Sequence, residues 1–253
     1  MQNICSGGFG RIQREFSLSF FQLEDPPHGT IDLERSFNIN TKYLWIVFLK
    51  SVICIFILFG FVSIFMVDDS PPLYWELAYL TTWAAIFGTL YMVLSNLLSF
   101  GIKNIFIVRF TWILFSLAVL FQITAAIGFW LMTIVYSSCD IVFLDIFLHG
   151  LLLVLILFDG MILNRTPIRL KHLSIFMIFG ILYDIWLVLQ STVIHYNPYS
   201  NACDDTNDYT ALYGKVNNFG KNTAIATINL TACLFVFVPL IFLALWTLSL
   251  FGR

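Results

Sequence analysis

A few polar residues stand inside stretches of this chain that are otherwise almost entirely apolar, and any chemistry has to be built from them. Asp184 falls near the middle of the run 173–195, where a charge costs about 2.5–3.5 kcal/mol on insertion scales. Asp145 and His149 lie in the run 140–163, Thr81 in 74–98 and Asn229 in 224–250. An imidazole in such a place can take up and return a proton near neutrality. A carboxylate can hold a cation or a proton, and a hydroxyl or amide can bind the polar part of a lipid. Thr81, His149, Asn229 and Asp184 therefore make a candidate polar cavity, either a lipid-substrate pocket or an ion path. The same residues also suit an interhelical hydrogen-bond cluster, because Thr hydroxyls in membrane helices commonly bond to the backbone or a neighbouring helix. Asp159 sits near the end of its run, close to Arg165, Arg169 and Lys171, and a snorkelling salt bridge to one of these is expected.

The elements that must position these residues follow from composition. Hydrophobic residues make up 59% of the 253-residue chain and charged residues only 11%, against about 25% charged in a soluble domain. So few charges cannot cover a water-facing surface, whereas lipid accepts apolar side chains on the outside. Six apolar runs are long enough to span a bilayer: 44–66, 74–98, 105–136, 140–163, 173–195 and 224–250. Short connections make neighbours antiparallel, so the expected fold is all-α, an integral membrane bundle of six transmembrane helices over residues 44–251. The first 43 residues are a polar cytoplasmic segment with no apolar core of a cleavable signal, so the first helix is expected to act as an uncleaved signal anchor.

Orientation follows from Lys and Arg. With both termini cytoplasmic, eleven of the 13 basic residues fall on the inner side, and only Lys215 and Lys221 fall outside, as the positive-inside rule requires. Residues 196–223 then form the one long outer loop. Aromatic residues such as Tyr43, Trp45, Tyr74, Trp75 and Tyr196 flank the runs, at headgroup level.

On this topology Cys139 and Cys203 both lie on the oxidising side, and a disulfide between them is expected. Cys54 and Cys233 fall within helices as small apolar packers. Asn164 and Asn229 begin Asn-X-Thr sequons, but one is cytoplasmic and the other lies within a span, so neither should carry glycan. There is no metal-ligand spacing, phosphate-binding glycine loop or nucleotide fingerprint. No metal or other cofactor is expected, and a net charge of −2 gives no reason to expect nucleic acid. Membrane lipids are the expected partners.

Longer motifs carry a family resemblance. The second run contains Tyr79-Leu80-Thr81-Thr82-Trp83, and the fourth contains Asp145-Ile146-Phe147-Leu148-His149-Gly150 and then Asp159. The following connection reads Arg165-Thr166-Pro167-Ile168-Arg169-Leu170-Lys171-His172, and Asp25-Pro26-Pro27 precedes the first run. Over nearly the whole chain these features resemble the rolling stone family of multi-pass membrane proteins. That resemblance implies a role in cell–cell contact or myoblast-type fusion, which would depend on the outer loop. The two short helix segments also resemble, more distantly, the androgen-induced-gene family of membrane lipid hydrolases, which cleave fatty-acid esters of hydroxy fatty acids. Carried over, this second resemblance makes Thr81 a nucleophile and His149 its base.

Topology bears on that pairing independently. Thr81 is about seven residues into its run and His149 about nine into its own, both counted from the outer side, so both lie ~10–14 Å deep and can meet. Thr needs such a base within hydrogen-bond reach. Asp145, four residues before His149 on the same helix face, could orient the imidazole. The leading expectation is a contact or fusion protein, with a lipid ester hydrolase as the alternative and an ion path through Asp184 and His149 third. The plasma membrane is favoured over the endoplasmic reticulum.

Overall fold

Six helices follow one another in the computed structural model, which describes residues 44–66, 77–102, 104–136, 141–164, 166, 168–194 and 219–251. They are α1 (Leu44–Ser63), α2 (Leu80–Ser99), α3 (Ile105–Tyr136), α4 (Phe143–Leu163) and α5 (His172–Ile194). The sixth, α6, comprises Phe219–Ala232, a π turn at Cys233–Phe237 and Val238–Phe251. All six contain a stretch long and apolar enough to cross a membrane, and among the described residues there is no strand. The protein is an all-α, multi-pass membrane bundle. Cys139, Cys203 and most of the loop 196–223 lie outside the described residues.

α3 is the hub. Of its apolar span 67% is buried inside the bundle, against 22–28% for α1, α5 and α6, whose outer faces carry exposed Phe, Leu and Ile suited to lipid contact. The core is built along α3 from Phe115, Ala118, Phe121 and Ala125. Phe121 stacks on Phe87 of α2 at 5.0 Å and meets Phe176 of α5 at 4.7 Å. Small residues set the closest approaches, as is usual where packing rather than water drives helix association. A Cβ at Gly160 of α4 would overlap the Phe115 ring. Gly160→Ala should therefore cost about 1–3 kcal/mol by overpacking, seen as a lower unfolding temperature of the purified protein.

α4 departs from α-helical register twice, at Phe147–Leu151 and at Phe158–Leu163. The two π turns hold His149 and Asp159. Wide turns of this kind are frequently found at functional sites, and here each places a polar side chain in the bundle interior.

The connection after α4 does not trail into solvent. Thr166 N–H donates to the Gly160 carbonyl at 2.7 Å, and Asn164, Thr166, Ile168 and Arg169 are all buried. The Arg169 guanidinium lies 5.8 Å from the Trp112 ring centre. The basic character of this connection thus serves internal packing as well as charge balance.

Candidate active site

Thr81 is the second residue of α2, because residues 77 and 78 form a turn and the helix begins only at Leu80. It therefore sits at the positive end of the helix dipole rather than two turns in. The N–H groups of Thr82 and Trp83 both turn back to the Tyr79 carbonyl. The Thr81 N–H has no acceptor among the described residues. His149 reaches this helix end from the first π turn of α4, and its Nε2 lies 3.0 Å from Thr81 Oγ1.

The chemistry of the contacts assigns the tautomer. His149 Nδ1 is 3.0 Å from the backbone carbonyl of Asp145, and a carbonyl can only accept. Nδ1 therefore carries the proton and Nε2 presents its lone pair to the Thr81 hydroxyl, which donates. That is the arrangement a general base needs. The ring is further held by Phe129, stacked face to face at 3.8 Å and 7°. The Trp130 indole N–H donates to the His149 carbonyl at 2.9 Å. Thr81 is half-buried and His149 buried, so the pair is sheltered but not sealed.

Asp145 differs from expectation. Its carboxylate does not orient the imidazole but accepts from the Val142 N–H at 3.1 Å, leaving the carbonyl to hold the ring. The side chain is drawn to the start of α4, where backbone N–H groups lack helical acceptors. Asp184 and Asn229 do not join the pair in one hydrogen-bonded group. Asp184 is half-buried on α5, within electrostatic reach of Cys233, and among the described residues no hydrogen bond or ion pair reaches it. Asn229 is half-buried on α6 and is engaged by contacts of its own.

A second polar group occupies the opposite end of the bundle. Asp159 Oδ1 lies 3.3 Å from Lys50 Nζ, and both side chains are fully buried. Asp159 Oδ2 accepts from Tyr91, Ser95 and Asn164, each at 2.7 Å. Lys50 also donates to Ser95 Oγ and Asn164 Oδ1, both at 2.9 Å. The expected pairing of Asp159 with Arg165, Arg169 or Lys171 is therefore corrected. Lys50, six residues into α1, arrives at the same depth from a neighbouring helix and leaves the carboxylate sealed from solvent.

Among the described residues one further hydroxyl–imidazole pair exists, Ser116 Oγ to His172 Nδ1 at 2.7 Å. Both residues are almost wholly buried, at 2% and 1% exposed, and Trp112 packs edge-on against the imidazole. No substrate can approach such a pair without unpacking the bundle, whereas Thr81 is only half-buried. No cluster of His, Cys, Asp or Glu suited to a metal occurs among the described residues.

Fold and site together define a multi-pass membrane protein whose described residues form six membrane-spanning helices and carry a part-buried Thr–His pair near one end. No family model, curated protein or solved structure matches the chain. The rolling stone and androgen-induced-gene resemblances accordingly rest on the quoted motifs alone.

Proposed function

We propose that this protein is an intramembrane hydrolase of lipid esters, with Thr81 as nucleophile and His149 as general base. The observation that carries the reading is the 3.0 Å contact between Thr81 Oγ1 and an imidazole nitrogen whose lone pair faces it. Thr81 Oγ1 attacks the ester carbonyl while His149 Nε2 takes its proton. The alcohol leaves with that proton, and the acyl group remains on Thr81. Water, deprotonated by the same nitrogen, then releases the fatty acid and restores the hydroxyl. The positive end of the α2 dipole and the Thr81 N–H favour the negative charge that develops on the carbonyl oxygen.

With both termini cytoplasmic, the pair faces the outer leaflet, and the plasma membrane is its expected site. A fatty-acid ester of a hydroxy fatty acid is the substrate class that the distant resemblance favours. The contact or fusion reading depends on the outer loop, and no observation on the described residues supports it.

The test is covalent labelling of the detergent-purified protein with a fluorophosphonate probe. Wild type and Ser116→Ala should label, whereas Thr81→Ala and His149→Ala should not. Labelling that survives Thr81→Ala, or folded wild type that never labels, would remove this reading.

A further inference from the structure

Two cations at the end of the bundle opposite the Thr81–His149 pair lack an anion among the described residues. Arg109 stands one turn into α3, and Lys171 immediately precedes α5. Both are half-buried. Neither the guanidinium nor the ammonium makes a hydrogen bond or ion pair among the described residues. Of the Arg109 nitrogens only Nε is shielded, so the terminal two stay within reach of a ligand. The described residues hold three acidic side chains, Asp145, Asp159 and Asp184. Only Asp159 lies at this end, and Lys50 engages it.

The fold brings the two helix ends together. Trp112 and Ser116 lie three and seven residues after Arg109, on one face of α3. Ser116 bonds His172 at 2.7 Å, and Trp112 meets the same imidazole at 4.6 Å. His172 follows Lys171 directly, so the start of α5 lies against the face that carries Arg109. Arg169, only 2% exposed, adds a third charge on the protein side, its guanidinium 5.8 Å from the Trp112 ring centre. So far from water that charge is weakly screened, and its field adds to that of Arg109 and Lys171 at the surface. The same surface is apolar. Phe106, three residues before Arg109, and Phe110, directly after it, are both exposed.

We propose that this end of the bundle binds an anionic phospholipid, its phosphate held by Arg109 and Lys171 and its acyl chains lying over Phe106 and Phe110. A guanidinium can hold two phosphate oxygens at once, and an ammonium supplies a point charge beside it. Cations at the membrane surface attract anionic lipids in this way. A zwitterionic lipid is disfavoured, because no further carboxylate among the described residues at this end can take its ammonium group. The exposed phenylalanines favour a lipid over free phosphate, which could not cover them. This site lies at the other end of the bundle from Thr81 and does not rest on the hydrolase reading.

The test is native mass spectrometry of the full-length protein, released from detergent micelles, with phosphatidylglycerol and phosphatidylcholine of identical chains. Phosphatidylglycerol should bind at least about tenfold more tightly. Arg109→Gln should remove most of that preference and Lys171→Gln part of it, with phosphatidylcholine binding unchanged. Arg109→Lys should keep an intermediate preference, since it keeps the charge but loses the fork. Lys221→Gln, which removes one charge from the start of α6 at the far end, should change nothing. Equal binding of the two lipids by wild type would overturn the proposal. A loss in Lys221→Gln as large as in Arg109→Gln would do the same, by showing that only net charge is read. Inorganic phosphate that displaced phosphatidylglycerol at millimolar concentration would make this a free-anion site and overturn the lipid assignment. Should the Arg109 variants fail to fold, Lys171→Gln decides, and an undiminished preference in it would overturn the site.

Discussion

Asp159→Ala should be among the most destabilising single substitutions in this protein, costing about 3–5 kcal/mol. The carboxylate is fully buried and accepts from three neutral donors while pairing with Lys50. Its removal strands the ammonium in a site sealed from water and orphans donors on α2 and at the end of α4. Lys50→Met should cost less, because Asp159 Oδ2 keeps its three hydrogen bonds. The double variant Lys50→Met/Asp159→Asn should recover more than half of the loss. It removes both charges, keeps the volumes, and leaves Asn164 donating to Ser95 and Tyr91. Replacing a buried pair by uncharged groups is often nearly neutral, whereas breaking one is not. Thermal unfolding in detergent would show this ordering. An Asp159→Ala protein as stable as wild type would mean that the ion pair contributes nothing to the folded state.

The same cluster shows where the sequence stops being legible. The six spans can be read directly because each is a long apolar run, and the bilayer leaves no other use for them. α3 as the hub is less visible, since its hydropathy does not distinguish a helix facing protein from one facing lipid. Lys50 reads as a basic residue near a helix start, adding to the charge asymmetry that orients the chain. Nothing local ties it to Asp159, which has three nearer cations in sequence. Matching depth was the available signal, since both residues lie within about two turns of the same end of the bundle.

Asn164 was hidden differently. As a sequon residue in a connection it reads as exposed, yet its side chain is wholly buried and bonds Lys50, Ser95 and Asp159. The π turns of α4 leave no trace in composition. They nonetheless set the rotation at which His149 and Asp159 enter the bundle. For Thr81 and His149 the depth argument and the motif pointed at residues that the fold brings together. Asp145 follows from spacing alone, and spacing cannot tell a carboxylate from the carbonyl of the same residue.

That distinction yields the sharpest test of the proposed chemistry. In the serine-protease arrangement a carboxylate holds the base, and its loss costs about 10⁴ in kcat. Here a backbone carbonyl holds His149 Nδ1, so Asp145→Asn should change ester hydrolysis by less than about tenfold. Its side-chain oxygen would still accept from the Val142 N–H. His149→Ala should lower kcat by about 10²–10⁴, and Thr81→Ala should remove activity altogether, while both unfold close to wild type. Thr81→Ser should retain turnover, since it keeps the hydroxyl on the same helix position. Trp130→Phe should lie between, because its indole holds only the His149 carbonyl and would disturb the ring indirectly. Kinetics on a fluorogenic fatty-acid ester in detergent micelles would measure all five variants. If Asp145→Asn proved as damaging as His149→Ala, the carboxylate would have to move onto the imidazole during turnover, and the carbonyl-held dyad described above would be wrong.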